Sequence, residues 1–475
     1  MKEQDPRLGS LLEDLEEPAQ PDPSRLESEV PKSSVRLDPR RCVGCAACMR
    51  VCPTEAIRIR KGKAIIKPQL CIDCGECVRV CEHKAGVVLS DPISAIQRFE
   101  YRIAVPEASL YGQFIPAVLP NDILAGILDL GFHEVFEAAL ATERASLLLR
   151  EYMDRYHGPK PLMTSFCPVV LRLIQLRFPD LADLVVPIDS TLELAVKKLK
   201  EERSKQKGIP VEKIGAFYLA GCPARITTIH HPYTGAKTHL DGAISVGEIY
   251  KDLMFAIRKR QRAGQKPPQL HGSSALGMRW GTLWGEVEAL GLENAIAVSD
   301  MKHLVRIMEE IDNHTLTDIE FVECRACYAG CAGGPLMVDN PYRGRSKIQR
   351  LCRMFPELSN TEETWARENF ERFGSHFDRR MKPLSLEGLD PDPSKAIEKM
   401  AQKSKILESL PGIDCGSCGA PNCKALADDI VRGEATIMYC IFKLRDAFLR
   451  QKRKKRKSPS SPKRSRAPQQ KSQLC

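Results

Sequence analysis

The sequence predicts an α/β multidomain protein: a small two-repeat cysteine module, a larger α/β domain and a small helical cysteine module. Three observations predict it. The chain has 475 residues, more than one hydrophobic core usually serves. Strand-like apolar runs alternate with amphipathic helical ones through its middle. Its 19 cysteines gather in tight groups near both ends and in three separated segments between them.

Composition narrows the class. A hydrophobic content of 43% is ordinary for a globular chain, and the cysteine density falls short of a secreted disulfide scaffold. Residues 1–34 are rich in Glu, Pro, Asp and Ser and contain no apolar signal-peptide core, so a cytoplasmic location is expected. In that reducing compartment, tight cysteine runs point to metal or redox chemistry rather than disulfides. No membrane span is expected, because the most apolar stretch, Phe114 to Phe132, is interrupted by Pro116, Pro120, Asp122 and Asp129. The net charge of +10 comes from the end of the chain. The segment Phe448 to Cys475 carries eleven Lys or Arg and no acid. It reads as a solvated basic tail, able at most to hold nucleic acid or an acidic partner weakly.

The expected order is a disordered lead (1–34), the repeat module (35–89), the α/β domain (90–342), a helical connector (343–405), the second cysteine module (406–449) and the basic tail (450–475). Within the α/β domain, Ile214 to Ala220 and Ile319 to Val322 read as strands. Leu192 to Glu202 and Lys302 to Ile311 read as helices.

In the first module Cys42, Cys45, Cys48 and Cys52 form C-x2-C-x2-C-x3-C followed by Pro53. Cys71, Cys74, Cys77 and Cys81 repeat the spacing. Three closely spaced thiolates can wrap three corners of a cubane, while the fourth must arrive from elsewhere. The segment resembles bacterial two-cluster ferredoxins, in which the fourth ligand comes from the other repeat. That resemblance assigns Cys42, Cys45, Cys48 and Cys81 to one cluster, and Cys71, Cys74, Cys77 and Cys52 to the other. Glu82 departs from the pattern where the second repeat would have proline.

Three segments of the middle domain need a common explanation: Thr164-Ser165-Phe166-Cys167-Pro168, Ala220-Gly221-Cys222-Pro223-Ala224-Arg225, and Glu323 through Pro335 with Cys324, Cys327 and Cys331. Ser165 is expected to cap a helix with Pro168 in its first turn, ending before Pro179. Cys167 would then lie at a helix N-terminus, where free amides favour an anionic group. Cys222, Cys324 and Cys327 are expected to follow strands, where open α/β sheets place their sites.

These segments resemble the signature motifs of the large-subunit domain of iron-only, or [FeFe], hydrogenases. By that resemblance Cys167, Cys222, Cys327 and Cys331 hold a cubane, and the sulfur of Cys331 also bridges to a two-iron subsite. The departures lie around that subsite. The resemblance implies a proton-passing cysteine where Phe166 stands, a lysine contacting a cyanide ligand where Arg225 stands, and a methionine where Arg325 stands. The final glycine run is shortened to Gly333-Gly334-Pro335. Arg225 remains a candidate contact to the cofactor through hydrogen bonds. Cys324 and Cys352 read as spare buried thiols, and His230 and His231 as solvent-facing or hydrogen-bonded histidines.

In the last module Cys415, Cys418, Cys423 and Cys440 give C-x2-C-x4-C-x16-C, with a helix expected over about Asn422 to Arg432. This resembles the four-cysteine [4Fe-4S] domain of electron-transfer subunits and corrinoid-linked proteins of anaerobes. Zinc sites more often repeat a short pair of cysteines. Cys475 reads as an exposed thiol on the tail.

The cofactors expected are four [4Fe-4S] clusters, with the two-iron subsite as an addition the departures disfavour. Two classes of function compete. One is electron transfer or redox or hydrogen sensing with a redox or signalling protein partner. The other is a slow hydrogenase, for which Phe166 offers no proton carrier.

Overall fold

The computed structural model describes residues 33–187, 191–232, 238–358, 364, 367–368, 370, 384 and 388–457. Two compact units result, divided between residues 386 and 387.

The first unit opens with two short antiparallel ribbons. Strand β1 (Val35–Leu37) pairs with β4 (Gly86–Val88), and β2 (Ile57–Arg60) pairs with β3 (Lys63–Ile66). Val35, Met49, Ile57 and Ala85 form a small core with Cys42, Cys48 and Cys77. The cysteines thus supply much of the apolar interior of a module too small to build one otherwise. Ser33 and Ser34, expected to end a disordered lead, are buried instead. The Ser34 amide donates to Thr227 Oγ1 at 3.0 Å and its hydroxyl to the Pro223 carbonyl at 2.9 Å, tying the module to the α/β domain.

Two parallel sheets then form. In the first, β6 (Glu134–Val135), β5 (Tyr101–Pro106), β8 (Ile214–Ala220) and β9 (Gly242–Ser245) lie side by side in that order. Alternate residues of β5 and β8 serve separate cores: Ala104, Phe217 and Leu219 on one face, Ile103, Val105, Ala216 and Tyr218 on the other. A strand covered on both faces needs an unbroken apolar run, which explains why Ile214–Ala220 is legible as a strand yet shows no alternation. In the second sheet, β10 (Ala295–Ser299) and β7 (Leu162–Met163) flank β11 (Phe321–Arg325). Helices Thr191–Lys207 and Met301–Asp312 cover the two expected helical stretches.

The helix after β7 runs Pro168–Arg177 and stops before Pro179, but its N-cap is Cys167 and no side chain caps it. Ser165 is therefore not the cap. Pro168 sets the first-turn backbone angle without needing a cap there, and Ser165 lies two residues too early.

Residues 343–405 contribute to both units. Helix Pro341–Cys352 places Ile348 and Leu351 in the interior of the first unit, while helix Pro393–Ser409 belongs to the second. The second unit adds helix Cys423–Val431, capped by the Asn422 side chain on the Ala425 amide at 2.7 Å, and helix Ile441–Lys457. That last helix carries the basic run as far as Lys457, where a tail without structure is expected from residue 450. Lys and Arg are good helix formers, and no proline intervenes before Pro459. Residues 1–32 and 458–475, the rest of the lead and of the tail, lie outside the described residues, Cys475 among them. Among the described residues no helix is long and apolar enough to cross a membrane.

Candidate metal centres

The carboxyl ends of four parallel strands converge. Glu107 follows β5, Cys167 follows β7, Cys222 follows β8, and Cys327 follows β11. Cys331 arrives on a tight turn in which Gly330 adopts φ +85°, and a Cβ there would lie 2.5 Å from the Leu283 amide nitrogen. Only glycine fits that approach.

The result is one enclosed cavity lined by Cys167, Cys222, Cys327 and Cys331 together with Cys74, Phe166, Arg225, Arg325 and Glu107. Burial pushes the Cys327 thiol up to about 11 and raises those of Cys222 and Cys331 as well. Thiols so desolvated bind a metal only by giving up protons, and neighbouring positive charge assists that loss. Arg225 and Arg325 supply it. The Arg225 amide also donates to the Cys222 sulfur at 3.4 Å.

Arg325 is 1% exposed and lies between two buried carboxylates, at 3.2 Å from Glu286 and 3.0 Å from Glu323. Thr164 donates to Glu286 at 2.6 Å, and Glu323 accepts the amides of Glu286 and Val287. Burial raises the Glu286 carboxyl to about 7 against the lowering influence of Arg325. The Arg325 Nη1 atom has no hydrogen-bond partner among the described residues. An orphaned buried donor beside four thiols suits an anionic occupant.

Phe166 fills the space between these groups. Its ring centre lies 4.7 Å from the Arg325 guanidinium carbon, 5.1 Å from that of Arg225, and 5.1 Å from the Trp280 ring centre in a T-shaped pair. Arg225 also donates to the Phe166 carbonyl at 3.0 Å.

In the repeat module, Cys42, Cys45, Cys48 and Cys81 line a second, almost wholly apolar hollow with Ile59, Ala64 and Ala85. Backbone amides point at sulfur there: Ala64 to Cys42 at 3.3 Å and Ala85 to Cys81 at 3.2 Å. The other set is also gathered. Burial, then neighbouring charge that includes Cys52, raises the thiols of Cys71, Cys74 and Cys77. The Ala56 amide donates to Cys52 at 3.2 Å. Cys74 borders both this set and the central cavity.

In the second unit Cys418, Cys423 and Cys440 share a small core with Leu410, Leu426 and Phe442. Cys415 is exposed at its edge, and hydrogen bonds from Ser417 hold its thiol below the usual value. The Cys423 amide is fixed by Asp414 at 2.7 Å. Among the described residues no three Cys, His, Asp or Glu donors close on a single metal ion. Thiolates at the corners of a cubane stand further apart than that, because four irons lie between them.

The remaining candidates lie elsewhere. Cys324 points from β11 into the core with Met163 and Val322. Cys352 contacts the Ala275 carbonyl at 3.8 Å. His230 pairs with Asp91 at 2.9 Å. Sequence reasoning missed Glu107, Glu286 and Glu323. Glu323 carried a signal, an acid that interrupts the apolar run of a strand ending in Arg325.

The fold and these cysteine sets define a multi-cluster iron-sulfur protein. Its segments match three families: the 4Fe-4S dicluster domain over residues 34–82, the iron only hydrogenase large subunit, C-terminal domain over 102–257, and an Fe-S cluster family over 410–442. The chain is thus a hydrogenase-like iron-sulfur protein. Similar solved structures include an [FeFe]-hydrogenase studied for oxygen inactivation of its H cluster, 16% identical, covering 63% of this chain and 93% of that one with a TM-score of 0.40. Another is the [FeFe]-hydrogenase HydA1 from Chlamydomonas reinhardtii, 14% identical, covering 62% and 95% with a TM-score of 0.41. No curated protein matches the chain in sequence.

Proposed function

We propose that this protein is a cytoplasmic electron-transfer or redox-sensing component that holds four [4Fe-4S] clusters and works with a redox or signalling protein. The observation that carries the reading is Cys74. It lines the central cavity with Cys167, Cys222, Cys327 and Cys331 while sitting among Cys52, Cys71 and Cys77. Two cofactor positions separated by a single side chain suit electron movement. Cubanes held there would supply one-electron exchange with little rearrangement. The chain's own part is to present thiolates, keep water out and offset their charge with Arg225 and Arg325.

The same residues argue against the two-iron subsite. The Phe166 ring lies against two guanidinium groups in the wall of the central cavity, and Phe166 has no titratable proton. A slow hydrogenase is the competing reading, favoured only by the large cavity that continues from Cys331 and Arg225 towards Thr142 and Leu240.

Infrared spectroscopy of protein produced with and without hydrogenase maturation enzymes separates the two. Electron transfer or sensing by cubanes alone predicts identical spectra. Bands of bound CO and cyanide appearing only after maturation would move the function to hydrogen chemistry.

A further inference from the structure

The second unit exposes large apolar side chains where its four cysteines gather. Ile413, two residues before Cys415, is 57% exposed, and Ile441, directly after Cys440, is 53% exposed. Tyr439, directly before Cys440, is also exposed. Along helix Ile441–Lys457 the exposure continues through Leu444 and Phe448, three and seven positions on, which places them in one stripe. Phe442 on the same helix turns inward to the core that contains Cys418, Cys423 and Cys440. The stripe is therefore the outer side of the element whose inner side holds the cysteine core.

Charge along the helix is predominantly basic, while the exposed Asp414 follows Ile413. The helix carries nine Lys or Arg and a single acid, Asp446. Arg445, Arg450, Lys452 and Arg453 are exposed. An apolar centre with a charged rim is the anatomy of a transient protein interface. A predominantly basic rim selects an acidic partner and speeds encounter.

We propose that this face docks an acidic electron-carrier protein against the edge of the Cys415, Cys418, Cys423 and Cys440 set. The inference rests on the electron-transfer reading above and adds the point of entry and the chemistry of the partner. Basic amphipathic helices also lie on anionic membranes. The protein partner is favoured because the apolar residues do not run along the helix alone. Ile413 and Tyr439, near Cys415 and Cys440 and off the helix, are exposed as well, where a lipid-binding helix has no reason to place them.

The test uses the full-length holoprotein and an acidic bacterial two-cluster ferredoxin as probe. Calorimetric titration should give binding that weakens at least ~10-fold between low and high salt. The combined Lys443→Glu, Arg445→Glu and Arg450→Glu variant should lose ~10-fold or more at low salt and most of the salt dependence. The Leu444→Ser, Phe448→Ser variant should bind several-fold more weakly with the salt dependence retained. Iron content and circular dichroism of each variant verify that the unit is intact. Unchanged ferredoxin binding by both variants would overturn the proposal. So would tighter binding to phosphatidylglycerol vesicles or duplex DNA than to the ferredoxin. Stopped-flow reduction by the same ferredoxin separates this inference from the reading beneath it. Rates that fall with the variants support the docking face. Transfer at rates the variants do not change leaves electron transfer standing and removes the docking face. Salt-dependent binding without any transfer supports the face and removes the electron-transfer reading.

Discussion

The guanidinium carbon of Arg325 lies 4.7 Å from the centre of the Phe166 ring, closer than that of Arg225 on the same ring. A cation over an aromatic face, desolvated as here, contributes about 2 kcal/mol. The contact joins two of the departures from the hydrogenase pattern, Phe166 and Arg325, in one packed unit.

The first prediction follows from that unit. Phe166→Cys should give no hydrogen evolution, even in protein produced with maturation enzymes, because a thiol restores a proton carrier but does not clear the two guanidinium groups. Gas chromatography of hydrogen from dithionite-reduced protein checks it. A gain of about 10²-fold over wild type, the contribution expected of a positioned acid-base group, would show that the two-iron subsite is present.

Arg325→Met should destabilise the first unit by about 3–5 kcal/mol, since it strands Glu286 and Glu323 as buried carboxylates. The triple change Arg325→Met, Glu286→Gln, Glu323→Gln should recover part of that loss. Urea unfolding followed by tryptophan fluorescence reads both. Equal stability of wild type and Arg325→Met would mean the carboxylates take up protons at little cost.

Iron analysis of anaerobically reconstituted protein should approach about sixteen irons per chain, four cubanes of four. Cys77→Ser should remove one set of EPR signals and leave those of the second unit. Simultaneous loss from both units would show that they do not assemble independently.

The pair His230–Asp91 predicts a pH window. Asp91 raises the His230 imidazole above 6.5. For Asp91 burial works upward, but the hydrogen bonds from His230 and from the Ala243 amide prevail and hold its carboxyl below 3.8. The histidine contribution is therefore complete below 6.5 and lost as pH rises through its raised value. The aspartate contribution is complete above 3.8 and lost as pH falls through its lowered value. Both hold between those limits. His230→Gln should lower the melting temperature most near pH 5, by about 1–2 °C for a half-exposed pair worth ~0.5 kcal/mol. The difference should vanish by about pH 9. A constant difference across that range would place the effect in packing rather than charge.

The features legible in the sequence are those that local chemistry dictates. The spacing of Cys42 to Cys52 and of Cys71 to Cys81 specifies loops that wrap, whatever surrounds them. Ile214–Ala220 is legible because burial on both faces demands an unbroken apolar run. The Arg325, Glu286 and Glu323 group is not, because Glu286 meets its partners across 37 and 39 positions and nothing in its own segment announces the meeting. Ser165 misleads because its residue type suits a cap, whereas the chain geometry set by Pro168 makes Cys167 the N-cap. The helical run to Lys457 escapes notice because dense charge suggests disorder, although Lys and Arg are compatible with either state.

At Gly75, φ is +75°, and a Cβ would lie 2.6 Å from Pro335 Cγ and 3.2 Å from Pro223 Cγ. Two rings thus press on bare backbone one residue after Cys74. The repeat module meets the α/β domain there with no side chain of its own, so their separation at that point is set by ring against peptide. Any other residue at position 75 would have to push those rings aside, so the fit of one domain on the other depends on a side chain that is missing.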